Sequence, residues 1–297
     1  MYTILLYYKY VHIADPKAFM LAQKALCERL GLKGRIIVAE EGINGTVEGL
    51  TEHTEAYVAE MKLDPRFADI HWKRSAGTPD GTAFPRLSVK ARKEIVSAHL
   101  EDLDPKTGDV DPTQLTATHL APETLRQWFE QGKQFSIVDM RNNYEHSVGQ
   151  FKGAHIPKMS NFRDLPKVAE EIADLKEKPV LTVCTGGIRC EKASGYLLKK
   201  GFKDVYQLDG GIVTYMEKFP GKDFEGSLYV FDGRVTMNFN DPKAHKVIGR
   251  CGRCEAPSER YVNCKNLACH DHLIICEGCS EANGEALCLA CAKSLVV

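Results

Sequence analysis

The chain has no run of about 18 apolar residues, the length a membrane-crossing helix needs. Its N-terminus, Met1-Tyr2-Thr3-Ile4-Leu5-Leu6-Tyr7-Tyr8-Lys9, lacks the basic leader and small-residue cleavage site of a secretory signal. These residues are expected to form a mature β-strand. Charge of one sign is also missing. The formal net charge is −1, which argues against nonspecific nucleic-acid binding by charge alone but leaves room for local basic patches. There is no internal repeat, low-complexity tract, flavin or dinucleotide motif, or 2-His-1-carboxylate spacing. Before residue 250 cysteine is sparse, with Cys27, Cys184 and Cys190 only; the other eight of the eleven follow. That distribution suits a reducing, cytoplasmic setting in which cysteines serve catalysis and metal rather than disulfides.

The most informative segment is Cys184-Thr185-Gly186-Gly187-Ile188-Arg189-Cys190. The apolar run Pro179–Val183 before it predicts a buried strand, and the helix formers of Glu191–Lys200 predict a helix. A cysteine therefore sits at a strand-to-helix turn. Two glycines let the backbone fold tightly, so that N–H groups point at one sulfur. The helix N-terminus and Arg189 add positive potential, and each of these favours the thiolate. Arg189 is expected to hold the anion approaching Cys184; the competing reading pairs it with a nearby carboxylate. For Cys190, packing is preferred over a resolving role against a persulfide on Cys184.

The pattern Cys-x4-Arg is shorter than the Cys-x5-Arg cradle of cysteine phosphatases and resembles the active loop of rhodanese sulfurtransferases. Two flanking segments extend the resemblance. One is Ser136–Arg141 followed by Tyr144-Glu145, Gly149, Phe151 and Gly153-Ala154-His155-Ile156-Pro157. The other is Gly201-Phe202-Lys203 through Leu208-Asp209-Gly210-Gly211.

Residues 1–98 read as strand Thr3–Tyr10, helix Lys17–Leu30, strands Arg35–Ala39 and Gly42–Val47, and helix Thr51–Met61. Strands at Ile70–Lys73 and Arg86–Val89 complete them. The order βαββαβ is that of a ferredoxin-like, acylphosphatase-like α+β sandwich. Cys27 falls among Leu26 and Leu30 and is read as core. An acidic stretch with Glu101, Asp102, Asp104, Asp109 and Asp111 reads as an exposed connector. The expected organisation is a ferredoxin-like domain over 1–98, a linker over 99–121, a rhodanese α/β domain with a parallel sheet over 122–226, and a cysteine-rich metal-binding region over 227–297.

In that last region Cys251-x2-Cys254, Cys264-x4-Cys269, Cys276-x2-Cys279 and Cys288-x2-Cys291 form four pairs. Eight thiolates make two closed, tetrahedral, structural sites, for which zinc is preferred. An iron–sulfur assignment and reduced free thiols are the alternatives, and His270 and His272 beside Cys269 are reserve ligands. The basic residues Arg86, Lys90, Arg92 and Lys93, with Lys192, Lys199, Lys200 and Lys203 around the helix after the active loop, are candidate RNA contacts; the bland reading is a solvated charged face.

The motifs Tyr7-Tyr8-Lys9-Tyr10-x-His12-Ile13, Ala39-Glu40-Glu41-Gly42-Ile43-Asn44-Gly45, the extended loop Cys184–Ser194 and Cys264-Lys265-Asn266-x2-Cys269-His270 together resemble the rhodanese-containing tRNA uridine hydroxylase family, along essentially the full chain. The resemblance implies oxygen-dependent hydroxylation at C5 of wobble uridine 34 in tRNA, giving 5-hydroxyuridine, with an unspecified reductant. It also implies a catalytic role for Cys184, described in the family as a persulfide intermediate. Addition of a Cys184 thiolate or persulfide to the pyrimidine C6, making C5 nucleophilic, would connect the loop to that reaction. A sulfurtransferase and a noncatalytic binding module are the other readings.

Overall fold

A computed structural model describes residues 1–269, 271–283, 287–288 and 290–291. Residues 1–95 form a five-stranded sheet. Strand β1 (Tyr2–Tyr10) leads through helix α1 (Pro16–Arg29) to β2 (Lys33–Ala39) and β3 (Gly42–Leu50), then helix α2 (Thr51–Lys62), β4 (Lys73–Ala76) and β5 (Leu87–Ala91). Asp15 caps α1 by accepting from the Ala18 amide, and Pro16 supplies a preset first-turn φ. The sheet order is β4-β1-β3-β2-β5; β5 is parallel to β2 and the other pairings are antiparallel. This is the expected acylphosphatase-like sandwich with one strand added at the edge.

Strand β4 begins at Lys73, later than the predicted Ile70. Ile70 and Trp72 are buried in the core under α1 and α2, but from a loop. Their apolar character reflects core filling rather than strand pairing. Alternation along β1 sends Leu5 and Tyr7 into that core and Leu6, Tyr8 and Tyr10 to the opposite face. Cys27 is fully buried in the first set, as expected.

The connector carries helix α3 (Leu100–Leu103) and strand β6 (Thr118–Leu120). Most of it is exposed, as its composition suggests, but it is anchored at several points. Leu100, Val110 and Ala117 are buried against the next domain. Two of its acidic residues meet partners there: Asp104 accepts from Tyr196 (2.6 Å) and from Lys200 (3.1 Å), and Asp109 lies 3.4 Å from the Lys192 ammonium. Segment composition reports charge but cannot see that the opposing helix supplies the counter-charges.

The central domain continues with α4 (Pro122–Glu130), β7 (Ser136–Asp139), α5 (Asn143–His146), β8 (Gly149–Phe151), α6 (Leu165–Glu171), β9 (Pro179–Val183), α7 (Ile188–Lys199), β10 (Asp204–Leu208) and α8 (Gly211–Lys218). Strands β6-β10-β9-β7 make a four-stranded parallel sheet with helices on both faces. Past it, β11 (Phe224–Gly226) pairs with β8, β12 (Leu228–Tyr229) pairs with β13 (Thr236–Met237), and β14 (Tyr261–Asn263) pairs with β15 (His272–Ile274) ahead of α9 (Glu277–Asn283). No helix among the described residues is long and apolar enough to cross a membrane.

Candidate active site

Cys184 follows β9 directly, and its loop ends where α7 begins at Ile188. Gly187 takes φ 101°, a left-handed value open to glycine at little cost, and its amide donates to Cys184 Sγ at 3.2 Å. The amides of Arg189 and Cys190 point at the same sulfur. The loop's carbonyls are capped from below. Ile212 N–H donates to Cys184 O (2.9 Å) and Val213 N–H to Thr185 O (3.1 Å). This places the start of α8 so close that a Cβ on Gly211 would lie 2.7 Å from Thr185 O and from loop atoms of Gly186 and Gly187. The Gly210-Gly211 signature is thus the seat of the active loop.

Burial opposes ionisation of Cys184, which is fully enclosed. The Cys190 thiol, the Arg189 charge and the loop amides outweigh it and hold the Cys184 thiol below its ordinary range. Cys190 is the reverse case: burial, then the Cys184 sulfur beside it, push its pKa well up, so it stays a thiol and donates. It packs in the central core.

Arg189 lines the cavity, but not as a free anion clamp. Both guanidinium ends bind Glu145, with Nη2 2.7 Å from Oε2 and Nη1 against Oε1. Glu145 is fully buried at the start of α5, where it also accepts from the Asn142 amide at 2.9 Å. The carboxylate pairing considered from sequence is therefore the observed one. In the neighbouring Asp139-x-Arg141 signature, both side chains are completely buried, and Arg141 Nη2 reaches Asp139 Oδ2 (2.6 Å) and the Gly149 carbonyl (2.7 Å). That pair is a structural brace.

The N-terminal sheet roofs the loop. A Cβ on Gly186 would come within 3.1 Å of Leu6 Cδ2, and one on Gly187 within 2.9 Å of the Tyr8 hydroxyl oxygen. Tyr8 Oη donates to Glu191 Oε1 at 2.9 Å. Glu191 also receives His119 Nε2 (2.9 Å), Thr116 Oγ1 (2.9 Å) and Gln207 Nε2 (3.0 Å). Sequence reasoning did not single out Glu191, Tyr8 or Glu145 as functional, although all three stand inside the quoted motifs. Between the sheet face and the loop lies a cavity of about 420 Å³, lined by Leu6, Tyr8, Lys73, Cys184, Gly186 and Phe231 among others. Arg35 and Arg163, also outside the sequence-derived set, stand exposed at its edge.

Lys192 is not an RNA contact. Its side chain is 0% exposed, and its ammonium lies 2.8 Å from Glu41, 3.1 Å from Glu94 and 3.4 Å from Asp109. It bolts the N-terminal domain and the connector to α7. Lys199 and Lys200 are likewise occupied, by the Thr107 and Asp109 carbonyls and by Asp104. Arg86, Lys90, Arg92 and Lys93 are exposed as expected, with Lys93 paired to Glu101 at 3.3 Å. Lys90 stands opposite Ile37, on the cavity side of the sheet.

The cysteines gather into two interleaved sets. Cys251, Cys254, Cys276 and Cys279 form one, and Cys264, Cys269, Cys288 and Cys291 the other, each with all sulfurs within 4.8 Å. Sulfur separations of 3.6 Å (Cys254–Cys276) and 3.5 Å (Cys269–Cys288) approach the edge of a tetrahedron, ~3.8 Å for metal–sulfur bonds of about 2.3 Å. Both sets can hold a metal ion, each through four thiolates. His272 is no reserve ligand, since its ring nitrogens face Asn263 Oδ1 (2.8 Å) and Tyr229 Oη (3.3 Å) and it stacks on Tyr261. His270 lies outside the described residues.

Three family models tile the chain: an UPF0176 acylphosphatase like domain over residues 2–95, a rhodanese-like domain over 121–218 and a rhodanese C-terminal region over 225–292. Curated relatives align nearly end to end. The tRNA uridine(34) hydroxylase of Cytophaga hutchinsonii is 46% identical over 280 residues, covering 94% of this chain and 86% of that protein. The protein of the same name from Bacillus velezensis is 47% identical over 276 residues, covering 92% and 83%. The one from Staphylococcus carnosus is 41% identical over 295 residues, covering 98% and 90%. With identity of this extent across all three parts, the chain belongs to the tRNA uridine(34) hydroxylase family.

Proposed function

We propose that the protein hydroxylates C5 of wobble uridine 34 in tRNA to give 5-hydroxyuridine, using molecular oxygen and an external reductant, with Cys184 as the reacting group. The observation that carries this reading is the cavity over Cys184, roofed by the N-terminal sheet. A loop serving only small sulfur donors needs an anion cradle; here the cradle's arginine is bound to Glu145, and a second domain builds a room large enough for a nucleobase above the sulfur. A flipped-out uridine would enter from the tRNA side. Family membership supports the choice of base and position.

In this reading Thr185, Gly186, Gly187 and Ile188 shape the loop, Arg189 favours the thiolate from its fixed place on Glu145, and Cys190 donates to the sulfur. The thiolate adds to C6 of the uracil, making C5 nucleophilic. Tetrahedral four-sulfur shells and redox-inert scaffolding favour zinc in both cysteine sets, as structural ions. Arg86, Lys90, Arg92 and Lys93, joined by Arg35 and Arg163, supply phosphate contacts around the cavity. The setting is the cytoplasm, where tRNA and reduced thiols coexist.

The test is mass spectrometry of tRNA nucleosides from cells with and without the gene. An added oxygen on uridine 34 that disappears with the gene supports the reading. An added sulfur would instead make the protein a sulfurtransferase.

A further inference from the structure

Once Arg189 is bound to Glu145, the cavity over Cys184 needs another source of positive charge if negative charge is to develop there. Arg74 and Arg234 at its wall are already paired, with Glu55 (2.7 Å) and Asp232 (2.7 Å). Arg35 and Arg163 are exposed. Lys73 differs from all of these. It opens β4, is 5% exposed, and lines the cavity. Among the described residues its ammonium has no hydrogen bond and no carboxylate at ion-pairing distance; it sits 5.2 Å from the centre of the Tyr8 ring.

Its placement is set by the sheet. Lys73 is registered opposite Leu6, and Leu6 is the residue that rests on Gly186 of the active loop. Burial lowers the Lys73 pKa to about 8, against the attraction of Cys184, Asp209, Glu217 and Glu191. A buried, unpaired ammonium is costly to maintain, and proteins keep one where a charge will arrive.

We propose that Lys73 is a catalytic residue, which donates to O4 of the bound uracil and takes up the negative charge that gathers there when the Cys184 thiolate adds to C6. This rests on the cavity being the uridine site. The thiolate lone pair forms the Sγ–C6 bond, the C5=C6 pair becomes a C4=C5 double bond, and the C4=O4 pair ends on O4 as an enolate facing the ammonium. Reversal expels the thiolate and restores the uracil, so the step needs no oxidant. The N-terminal domain thereby supplies the oxyanion partner that the rhodanese loop gave up to Glu145.

The step has a signature separate from hydroxylation. Without oxygen, in deuterium oxide, the enolate takes a deuteron at C5, loses the original proton and reverts, so the C5 hydrogen of uridine 34 exchanges. The experiment uses the full-length protein and an unmodified tRNA transcript, with nucleosides read by mass spectrometry. Wild type should exchange, and Lys73→Met, which keeps the length of the stem, should exchange on the order of 100-fold more slowly, the loss typical of one oxyanion donor. Lys73→Arg should recover much of the rate. Equal exchange by wild type and Lys73→Met, or no exchange by a wild type that does hydroxylate in air, would overturn the proposal and leave the hydroxylase reading standing. A wild type that neither hydroxylates nor exchanges would remove the reading itself.

A measurement on wild type alone covers the case in which Lys73→Met does not fold. Relative to a free thiol, Cys184 should prefer iodoacetate over neutral iodoacetamide, because an uncommitted cation shares the cavity with the sulfur. No such preference would also overturn the proposal.

Discussion

Arg189 and Glu145 hold each other in a buried, two-pronged ion pair beside the loop that carries Cys184. Arg189 therefore acts on Cys184 through a fixed charge. Arg189→Ala should move the rise of iodoacetamide alkylation with pH to higher pH, since the thiol then loses one of the groups that lower its pKa. The same variant strands the Glu145 carboxylate and should lose about 3–5 kcal/mol in urea unfolding. An unshifted alkylation profile would show that the guanidinium does not act on the sulfur.

Cys184→Ala should abolish 5-hydroxyuridine formation with an unchanged unfolding midpoint, because one sulfur is removed from a turn held by backbone bonds. Cys190→Ser keeps a donor beside the sulfur and should retain most activity, while Cys190→Ala should raise the Cys184 pKa. Complete inactivity of Cys190→Ser would give Cys190 a covalent role.

Lys192→Met should destabilise the protein by about 3–5 kcal/mol, since three carboxylates from two other segments lose their shared counter-charge. The salt dependence of tRNA binding by the folded fraction should be unchanged. A flattened salt slope would return Lys192 to the RNA surface.

Charge reversal at Lys90 and Arg92 should weaken tRNA binding and flatten its dependence on salt, because fewer counterions are released on association. A filter-binding series across salt concentrations reads both effects. Unaltered affinity would take this edge strand off the binding surface.

Elemental analysis should find two zinc ions per chain, and Cys276→Ser should lose about one. The loss should be felt at the active site. Tyr261, on the hairpin between the two cysteine sets, donates to the carbonyl of Tyr144, the neighbour of Glu145. The Cys276→Ser protein should thus show altered alkylation kinetics at Cys184, and an unchanged rate would uncouple the two. Iron with labile sulfide would replace zinc and bring a redox centre into the protein.

The active loop, its flanking signatures, the four cysteine pairs and most helices and strands were legible in the chain itself. Each is written in a short contiguous window: a strand's apolar run, a glycine turn beneath a helix start, a Cys-x2-Cys turn that brings two sulfurs together. The backbone's local hydrogen bonding and steric limits suffice to express such windows. What charged residues do was not legible in this way. Arg189, Lys192, Lys200 and Asp104 read as clamp, RNA contacts and exposed linker, and the fold uses all four internally. Their partners lie far along the chain, with Asp104 96 residues from Lys200 and Lys192 98 from Glu94. An ion pair forms only where packing brings two groups to about 3 Å and removes the water between them. Packing inside the rhodanese domain set Arg189 on Glu145, the return of the connector set Asp104 on Lys200, and the docking of the N-terminal sheet set Lys192 among its carboxylates and left Lys73 buried at the cavity.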